Sequence, residues 1–368
     1  MRLALKELIR RPGRFVAAAV ILTLISVLLM FIGGLLDGLL DSSTGAFRIQ
    51  RGNLIAYSAS SSRSLPRSRI PVEIKDQVAR VEGVKSVGGF STVQVAARPE
   101  SDPQTRKLIP TILIGYELPP RGLPGDSLDK GSVYADSALK SRGIKAGDFL
   151  LLGSPRIPVK VIGFVDDSRY SGQISLWGSM ETWSEVTQAV RPGSGGTDTV
   201  QALVIDDTSD NPEAAKRIED ATGASIEVLT ISEAIDSLPG VATQRSTINQ
   251  IIGVTVFIAL VVISLFFALI TIERTTLYGI LKAIGASSST LFLGVTSQAV
   301  AVTLLACSIA GLASVGLAVF LPPGTLPFSL SVGRVALSVG LLLFAAIAGC
   351  TFSLRRVLRI DPAAAIGE

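Results

Sequence analysis

Four stretches of the chain are predominantly apolar and carry no charged residue, namely residues 15–36, 246–272, 291–321 and 335–354. A helix that crosses a bilayer needs about 20 apolar residues, and each stretch reaches that length. The pattern therefore predicts four transmembrane helices, with a long polar block between the first and the second.

The polar block shows the periodicities of a folded domain. The sequence VEIKDQVARVEGVKSVGGFSTVQVAA predicts a helix, a glycine turn and an alternating strand. Near the far end of the block, NPEAAKRIEDATGASIEVLT repeats the same order. Two such units at opposite ends indicate an α+β domain built from both sides of the chain.

Between these units, GIKAGDFLLLGSPRIPVKVIGFVDD alternates apolar and polar residues around Gly and Pro turns. This pattern predicts a β-rich insertion at about residues 105–185. The stretch SASSSRSLPRSRIP is polar and contains proline, so we expect an exposed connector there.

The predicted fold class is an α-helical membrane protein with four transmembrane helices and a large extracellular α+β domain inserted between helices 1 and 2. The predicted segments are a cytoplasmic amphipathic helix (1–13), helix 1 (14–40), the outer domain (41–245), helix 2 (246–272), a short cytoplasmic helix (273–290), helix 3 (291–320), an outer loop (321–334), helix 4 (335–355) and a cytoplasmic tail (356–368).

Composition supports a membrane protein. The chain is 48% hydrophobic and only 17% charged, whereas soluble domains carry about 25% charged residues. Its net charge of +4 is explained by basic residues at the ends of the apolar segments. The charge therefore does not indicate a nucleic-acid-binding protein. Histidine is absent and both cysteines fall inside apolar segments, which argues against a zinc site or a disulfide framework.

The distribution of Lys and Arg predicts the orientation. Cations cluster before the first apolar segment and after the last, and the loop between the third and fourth carries only Arg334. By the positive-inside rule both termini are cytoplasmic, and the 41–245 block lies outside.

The link between the second and third segments, LYGILKAIGASSSTLF, keeps helical spacing. Leu277, Ile280, Leu281 and Ile284 form an apolar stripe, which favours a short helix that offers a surface to a partner; a tight turn is the alternative. The chain has no G-x-x-x-x-G-K-[ST] sequence, so ATP would be hydrolysed by a separate subunit.

GILKAIGASSSTLF, the C-terminal RRVLRIDPAAAIGE, and VYADSALKSRGIKAGDFLLL with VKVIGFVDD together resemble the MacB/FtsX-type permeases of ABC transporters. The resemblance covers the whole chain. MRLALKELIRRPGRF, FIGGLLDGL and TLPFSL are similar to the heme-exporting HrtB-type subgroup.

The resemblance implies a bacterial cytoplasmic-membrane permease that works as a homodimer, binds two copies of an ABC ATPase, has no intrinsic cofactor and expels heme by mechanotransmission. ATP would be bound by the partner. The short cytoplasmic helix would be the coupling helix, with Leu277, Gly279, Ile280, Lys282, Ile284 and Gly285 facing the ATPase.

Heme would need an iron ligand, and without histidine the candidates are carboxylates and tyrosines. Glu233, ahead of helix 2, is the first candidate for the axial ligand. The alternative is structural, because Thr230-x-x-Glu233 is also a capping box.

Six further residues complete the predicted substrate site, each with a structural alternative. Asp37 and Asp41 share a face at the end of helix 1, but carboxylates also mark where a helix leaves lipid. Tyr170 is a weaker ligand candidate and could be a core residue. Arg48 could meet the propionates or face solvent, while Phe31 and Gly34 could line a cleft or pack helices.

A second class of function also fits the sequence, namely an FtsX-like signalling permease that regulates an extracellular cell-wall hydrolase and moves no substrate. Export of another hydrophobic or lipidated molecule is a further alternative.

Overall fold

The computed structural model describes residues 13–102, 108–124, 128–193, 198–209, 211–273, 280, 284, 287–320 and 327–357, with the backbone alone for 14, 15, 288, 319 and 352–357. The chain divides into a helical unit, which ends at Gly38 and resumes at Gln244, and a large domain, Leu39–Thr243. The predicted amphipathic helix and most of the predicted tail lie outside the described residues.

The elements are numbered in chain order. The helices are α1 Gly13–Arg48, α2 Val72–Val78, α3 Met180–Val190, α4 Pro212–Ala221, α5 Ile231–Ser237, α6 Val241–Glu273, α7 Ser288–Phe320 and α8 Val332–Val357. The strands are β1 Leu54–Ser58, β2 Ile70–Pro71, β3 Val84–Pro99, β4 Ile109–Tyr116, β5 Ser132–Asp136, β6 Phe149–Leu152, β7 Ile157–Val165, β8 Ile174–Ser179, β9 Thr199–Val200, β10 Ala202–Asp207 and β11 Ile226–Thr230.

The helical unit confirms the four predicted membrane helices, since α1, α6, α7 and α8 are each long and apolar enough to span a bilayer. Buried residues of all four helices form one apolar cluster, which includes Met30, Phe267, Ala306 and Leu342. At Gly349 of α8 the absence of a side chain permits close approach to α6, because a Cβ there would lie 3.1 Å from a backbone oxygen.

Helices α1 and α6 extend beyond the predicted spans. α1 continues to Arg48 instead of residue 40, and α6 begins at Val241 instead of 246. The prediction followed apolarity, which marks the lipid boundary and not the helix end. The extra turns are stabilised within the large domain, where Phe47 and Val241 are buried.

Nine strands of the large domain form one sheet in the order β11-β1-β10-β3-β4-β8-β5-β7-β6. An additional pairing of β6 with β3 closes the last six strands into a ring. The β-rich insertion is thus present as strands β4 to β8, but it shares β3 with the rest of the domain.

Strand β3 serves both parts because it is 16 residues long. Its first residues pair with β10, the stretch from Phe90 to Ala97 pairs with β4, and Ala97–Pro99 pair with β6. The ring encloses its own apolar cluster, with Leu150, Val161 and Leu176 fully buried.

The two predicted helix–glycine–strand units are confirmed as α2–β3 and α4–β11. Gly83 has a φ of +94°, a conformation that glycine adopts without steric cost, and Asn211 caps α4 through the amide of Ala214. Both helices contribute to one cluster over the β11-β1-β10-β3 part of the sheet.

The connector between β1 and α2 was predicted to be exposed, and this is wrong in part. Ser61, Leu65 and Ser68 are buried. The Ser68 hydroxyl accepts a hydrogen bond from the Ser58 amide at 2.8 Å, so a polar sequence here serves internal hydrogen bonding.

Candidate functional site

The glycine face of α1 is covered by a segment of the same unit, Pro327–Ser331, which we call the strap. Its Phe328 ring stacks on Phe31 at a centroid distance of 5.7 Å and an interplanar angle of 23°. A Cβ on Gly34 would lie 2.5 Å from Phe328 Cε2, and the Ser329 amide donates to the Gly34 carbonyl at 3.0 Å. Phe31 and Gly34 therefore share one face of α1, and that face is packed against Phe328.

Asp37, one turn further along α1, is held by the first turn of α8. The Arg334 guanidinium reaches both carboxylate oxygens, with Nε at 3.1 and 3.2 Å and Nη2 also in contact. The Ser331 hydroxyl donates to the same carboxylate at 3.0 Å. The pair is largely shielded, with side-chain exposures of 17% for Arg334 and 16% for Asp37.

Phe328, Ser331 and Arg334 were not among the predicted site residues. A signal was present, because Arg334 is the only cation of its loop and Asp37 the first carboxylate after the apolar stretch of helix 1. Sequence alone did not show that the loop folds back onto α1.

In the large domain, the predicted residues Asp41 and Arg48 pair with each other, and Arg48 also lies 3.8 Å from Asp167. The β7–β8 loop holds this end of α1: the Ala46 amide donates to the Arg169 carbonyl at 2.9 Å, and the Ser171 amide donates to the Ser43 carbonyl at 3.0 Å. Asp41 and Arg48 are thus part of a surface ion-pair group.

Tyr170 is a core residue, only 6% exposed, with its ring 5.5 Å from that of Phe47. Burial raises the pKa of its phenol to about 12. A tyrosine ligates ferric iron as the phenolate, and this environment disfavours that form. The structure thus matches the structural alternative for Tyr170.

Glu233 occupies the capping box. The Glu233 amide donates to Thr230 Oγ1 at 3.3 Å, and the Glu233 carboxylate accepts from the Thr230 amide and hydroxyl, each at 2.9 Å. The Thr230 amide and hydroxyl lower the pKa of Glu233, with a further contribution from Arg63. Glu233 lies on the separate short helix α5, and α6 begins only at Val241.

Most of the predicted coupling helix lies outside the described residues, including Leu277, Gly279, Lys282 and Gly285. Ile280 and Ile284 are described. The Ile284 amide donates to the Ile280 carbonyl at 3.1 Å, as in one helical turn, and the two residues are 49% and 79% exposed.

Within the described part of the chain, no group of three or more His, Cys, Asp or Glu side chains could hold a metal ion. The two cysteines are free and buried.

The chain is similar to known membrane permeases. Residues 249–362 match the family model described as FtsX-like permease C-terminal. A relative in Staphylococcus haemolyticus that bears the name of a hemin transport system permease protein, HrtB, is 23% identical over 370 residues, which is 100% of this chain and 99% of the relative. An uncharacterized ABC transporter permease of Mycobacterium tuberculosis is 26% identical over 378 residues, covering 99% of this chain and 98% of the relative.

Two solved structures are similar to about half of the chain. The periplasmic region of MacB from Actinobacillus actinomycetemcomitans is 13% identical, with a TM-score of 0.37, and the match covers 50% of this chain and 91% of that one. The extracellular domain of YknZ from Gram-positive bacteria is 16% identical, with a TM-score of 0.33, covering 48% and 100%.

Four apolar helices, with a large α/β domain between the first and the second, together with the similarity to bacterial permeases, indicate a membrane protein of the bacterial cytoplasmic membrane. Its C-terminal part matches the FtsX-like permease model, and over its full length the chain is similar to proteins named as ABC transporter or hemin transport permeases.

Proposed function

We propose that this chain is the permease subunit of an ABC efflux system that takes heme from the outer leaflet of the cytoplasmic membrane and expels it. The observation that carries the proposal is the end-to-end match with permeases named for hemin transport, which covers both the helices and the large domain. A match confined to the family's shared C-terminal helices would not favour heme over other substrates.

The helical unit has the surface that a lipid-soluble substrate requires. Large apolar side chains of α6 face outward, among them Phe257 at 65% and Leu265 at 67% exposure. Heme is a flat apolar plate that partitions into lipid, so it would approach such a surface from the side. In the proposal, two copies of the chain form a homodimer with α1 and α6 of each toward the mate.

Glu233 remains our first candidate for the iron ligand. Its carboxylate is exposed and is held by a capping box, an interaction worth about 0.5–2 kcal/mol. Asp37 would have to leave a shielded two-pronged pair with Arg334, which costs more. Asp41 and Arg48 would first have to part from each other.

Phe31 and Gly34 would meet the porphyrin plane only if Phe328 moved aside. A porphyrin could replace the Phe328 ring, since both are flat and apolar. In the proposal, substrate entry is therefore coupled to movement of the strap.

ATP hydrolysis would come from two copies of a separate ATPase that bind the coupling segment. The exposure of Ile280 and Ile284 supports this, because apolar side chains of this size are available to a partner. Ile280→Asp would place an unpaired charge in the proposed apolar contact, and the ATPase should then fail to co-purify. Ile280→Leu keeps an apolar side chain of the same size at this position and serves as the control. Co-purification of Ile280→Asp at the normal yield would contradict the assignment.

The proposed orientation places the large domain outside and both termini in the cytoplasm. Cysteines at Ser60 and Ser287, which are both exposed, test it in a background where Cys307 and Cys350 are replaced by serine. An impermeant thiol reagent on intact cells should label position 60 and not position 287. The reverse pattern would contradict the orientation.

The function itself is tested in cells. Deletion of the gene should lower the heme concentration that stops growth and raise cell-associated heme, and the wild-type gene should restore both. Unchanged heme tolerance together with a cell-wall defect would favour the signalling permease instead.

A further inference from the structure

The large domain contains a cavity of about 140 Å³ that none of the functions above uses. It lies between the connector, strands β3 and β4, the β7–β8 loop and the last turn of α3. Buried Thr92, Tyr170, Thr187 and Gln201 form part of its lining. The volume is enough for a small ligand of several non-hydrogen atoms.

The charged side chains among the described lining residues are both basic. Arg69 and Arg191 line the cavity and are exposed, so they stand at its opening. Among the described residues that line it, none is acidic. Two guanidinium groups beside one cavity favour an anion, and their planar, multiple N–H donors suit phosphate oxygens.

The lining also contains a buried hydroxyl that is not used within the protein. Thr187 is 4% exposed, and its Oγ1 atom has no hydrogen-bond partner among the described residues. Buried polar atoms are nearly always paired, so an unpaired one beside a cavity indicates a missing partner. Gln201, by contrast, is fully engaged with Thr92, accepting from its amide at 2.9 Å and donating to its carbonyl at 3.0 Å.

We propose that this cavity binds a phosphate group, with Arg69 and Arg191 neutralising its charge and the Thr187 hydroxyl donating a hydrogen bond. Tyr170, predicted above as a heme residue, would contribute its phenol to the same site in its protonated form. The last turn of α3 presents the negative end of the helix dipole, which disfavours an anion. Phosphate binding would therefore depend on the positive charges of the two arginines.

The test uses the full chain purified in detergent, with the thermal unfolding midpoint measured against inorganic phosphate at constant ionic strength set by chloride. The midpoint should rise with phosphate and saturate, because a ligand that binds only the folded state stabilises it. Arg69→Gln combined with Arg191→Gln should abolish the rise. Arg63→Gln, an exposed arginine that does not line the cavity, should leave it unchanged.

Thr187→Val separates binding from folding. It keeps the side-chain shape and removes the hydroxyl, so phosphate should bind about tenfold more weakly. Without phosphate the midpoint should be no lower than that of the wild type, because the lost hydroxyl had no partner. No rise in the wild type, or an equal rise in the double arginine variant, would overturn the proposal.

Glycerol 1-phosphate identifies the source of the phosphate group. Tighter binding than inorganic phosphate would assign the site to a lipid headgroup, and equal or weaker binding to the free ion; both outcomes support the site. Equal stabilisation by acetate and phosphate would overturn the preference for phosphate.

Discussion

Most aromatic side chains of the large domain are buried, whereas several phenylalanines of the helical unit are exposed. Trp177 and Tyr57 are fully buried in the domain, whereas Phe257, Phe320 and Phe344 of the helices are between 65% and 87% exposed. The domain folds as a soluble protein does, by removing apolar surface from water. The helical unit keeps its apolar surface on the outside, as a lipid environment or a partner helix requires.

The largest expected difference comes from truncating one aromatic residue in each unit. Trp177→Ala should lower the free energy of unfolding of the large domain by about 3–5 kcal/mol, because it removes a fully buried ring and leaves a cavity. Phe257→Ala on α6 should change it by less than about 1 kcal/mol. Urea unfolding followed by Trp183 fluorescence, which both variants retain, measures the two. Similar losses would remove the distinction between the units.

A lysine placed at an exposed apolar position sharpens the comparison. Leu265→Lys on α6 should cost about 3 kcal/mol of membrane insertion, because it places a charge in the middle of a helix long and apolar enough to span a bilayer. Phe149→Lys, on a strand of the large domain with 40% exposure, should cost less than about 1 kcal/mol. The yield of membrane-inserted protein and its thermal stability report the effects. Tolerance of lysine at position 265 would mean that this face of α6 lies against water.

The two carboxylates at the end of helix 1 give a smaller contrast. Asp37→Asn leaves the shielded Arg334 without its charge partner and should cost about 2 kcal/mol. Asp41→Asn breaks a more exposed pair, with side chains 30–35% exposed, and should cost less than about 1 kcal/mol. Thermal unfolding of the purified chain compares them. Asp37→Asn combined with Arg334→Gln should recover part of the loss; if it does not, the ion pair is not the cause.

The smallest effect is expected at Glu233. Its pKa is lowered in the folded chain, so ionised Glu233 stabilises the fold above its ordinary pKa, and this contribution is lost as pH falls through the lowered value. Glu233→Gln can keep the capping geometry without the charge. The variant should therefore be slightly less stable at neutral pH, with the difference shrinking below about pH 4. A difference that grows on acidification would contradict the capping assignment.

The two units also differ in how much of their structure could be predicted from the sequence. The four membrane helices and both helix–glycine–strand units were predicted correctly, because their signals are local: apolar length, periodicity and glycine position. The closure of six strands through the β3–β6 pairing was not, since it depends on residues more than 50 positions apart, such as Ala97 and Leu152.

The candidate site shows the same limit. The capping box of Thr230 and Glu233 was an explicit alternative because its spacing is local. The pairing of Asp37 with Arg334 joins residues 297 positions apart, and the stacking of Phe31 on Phe328 is equally distant in sequence. Residue types predicted which groups could bind heme, but only the fold shows which of them are already paired.

The central proposal is that this chain binds heme, and an absorbance titration of the purified chain with the proposed partner ATPase tests it most directly. Added heme should give a shifted Soret band that saturates near one heme per binding site, and Glu233→Gln should weaken or alter that spectrum with only a slight loss of stability. A Soret band that grows without saturation, equal to that in empty detergent micelles, would contradict the claim.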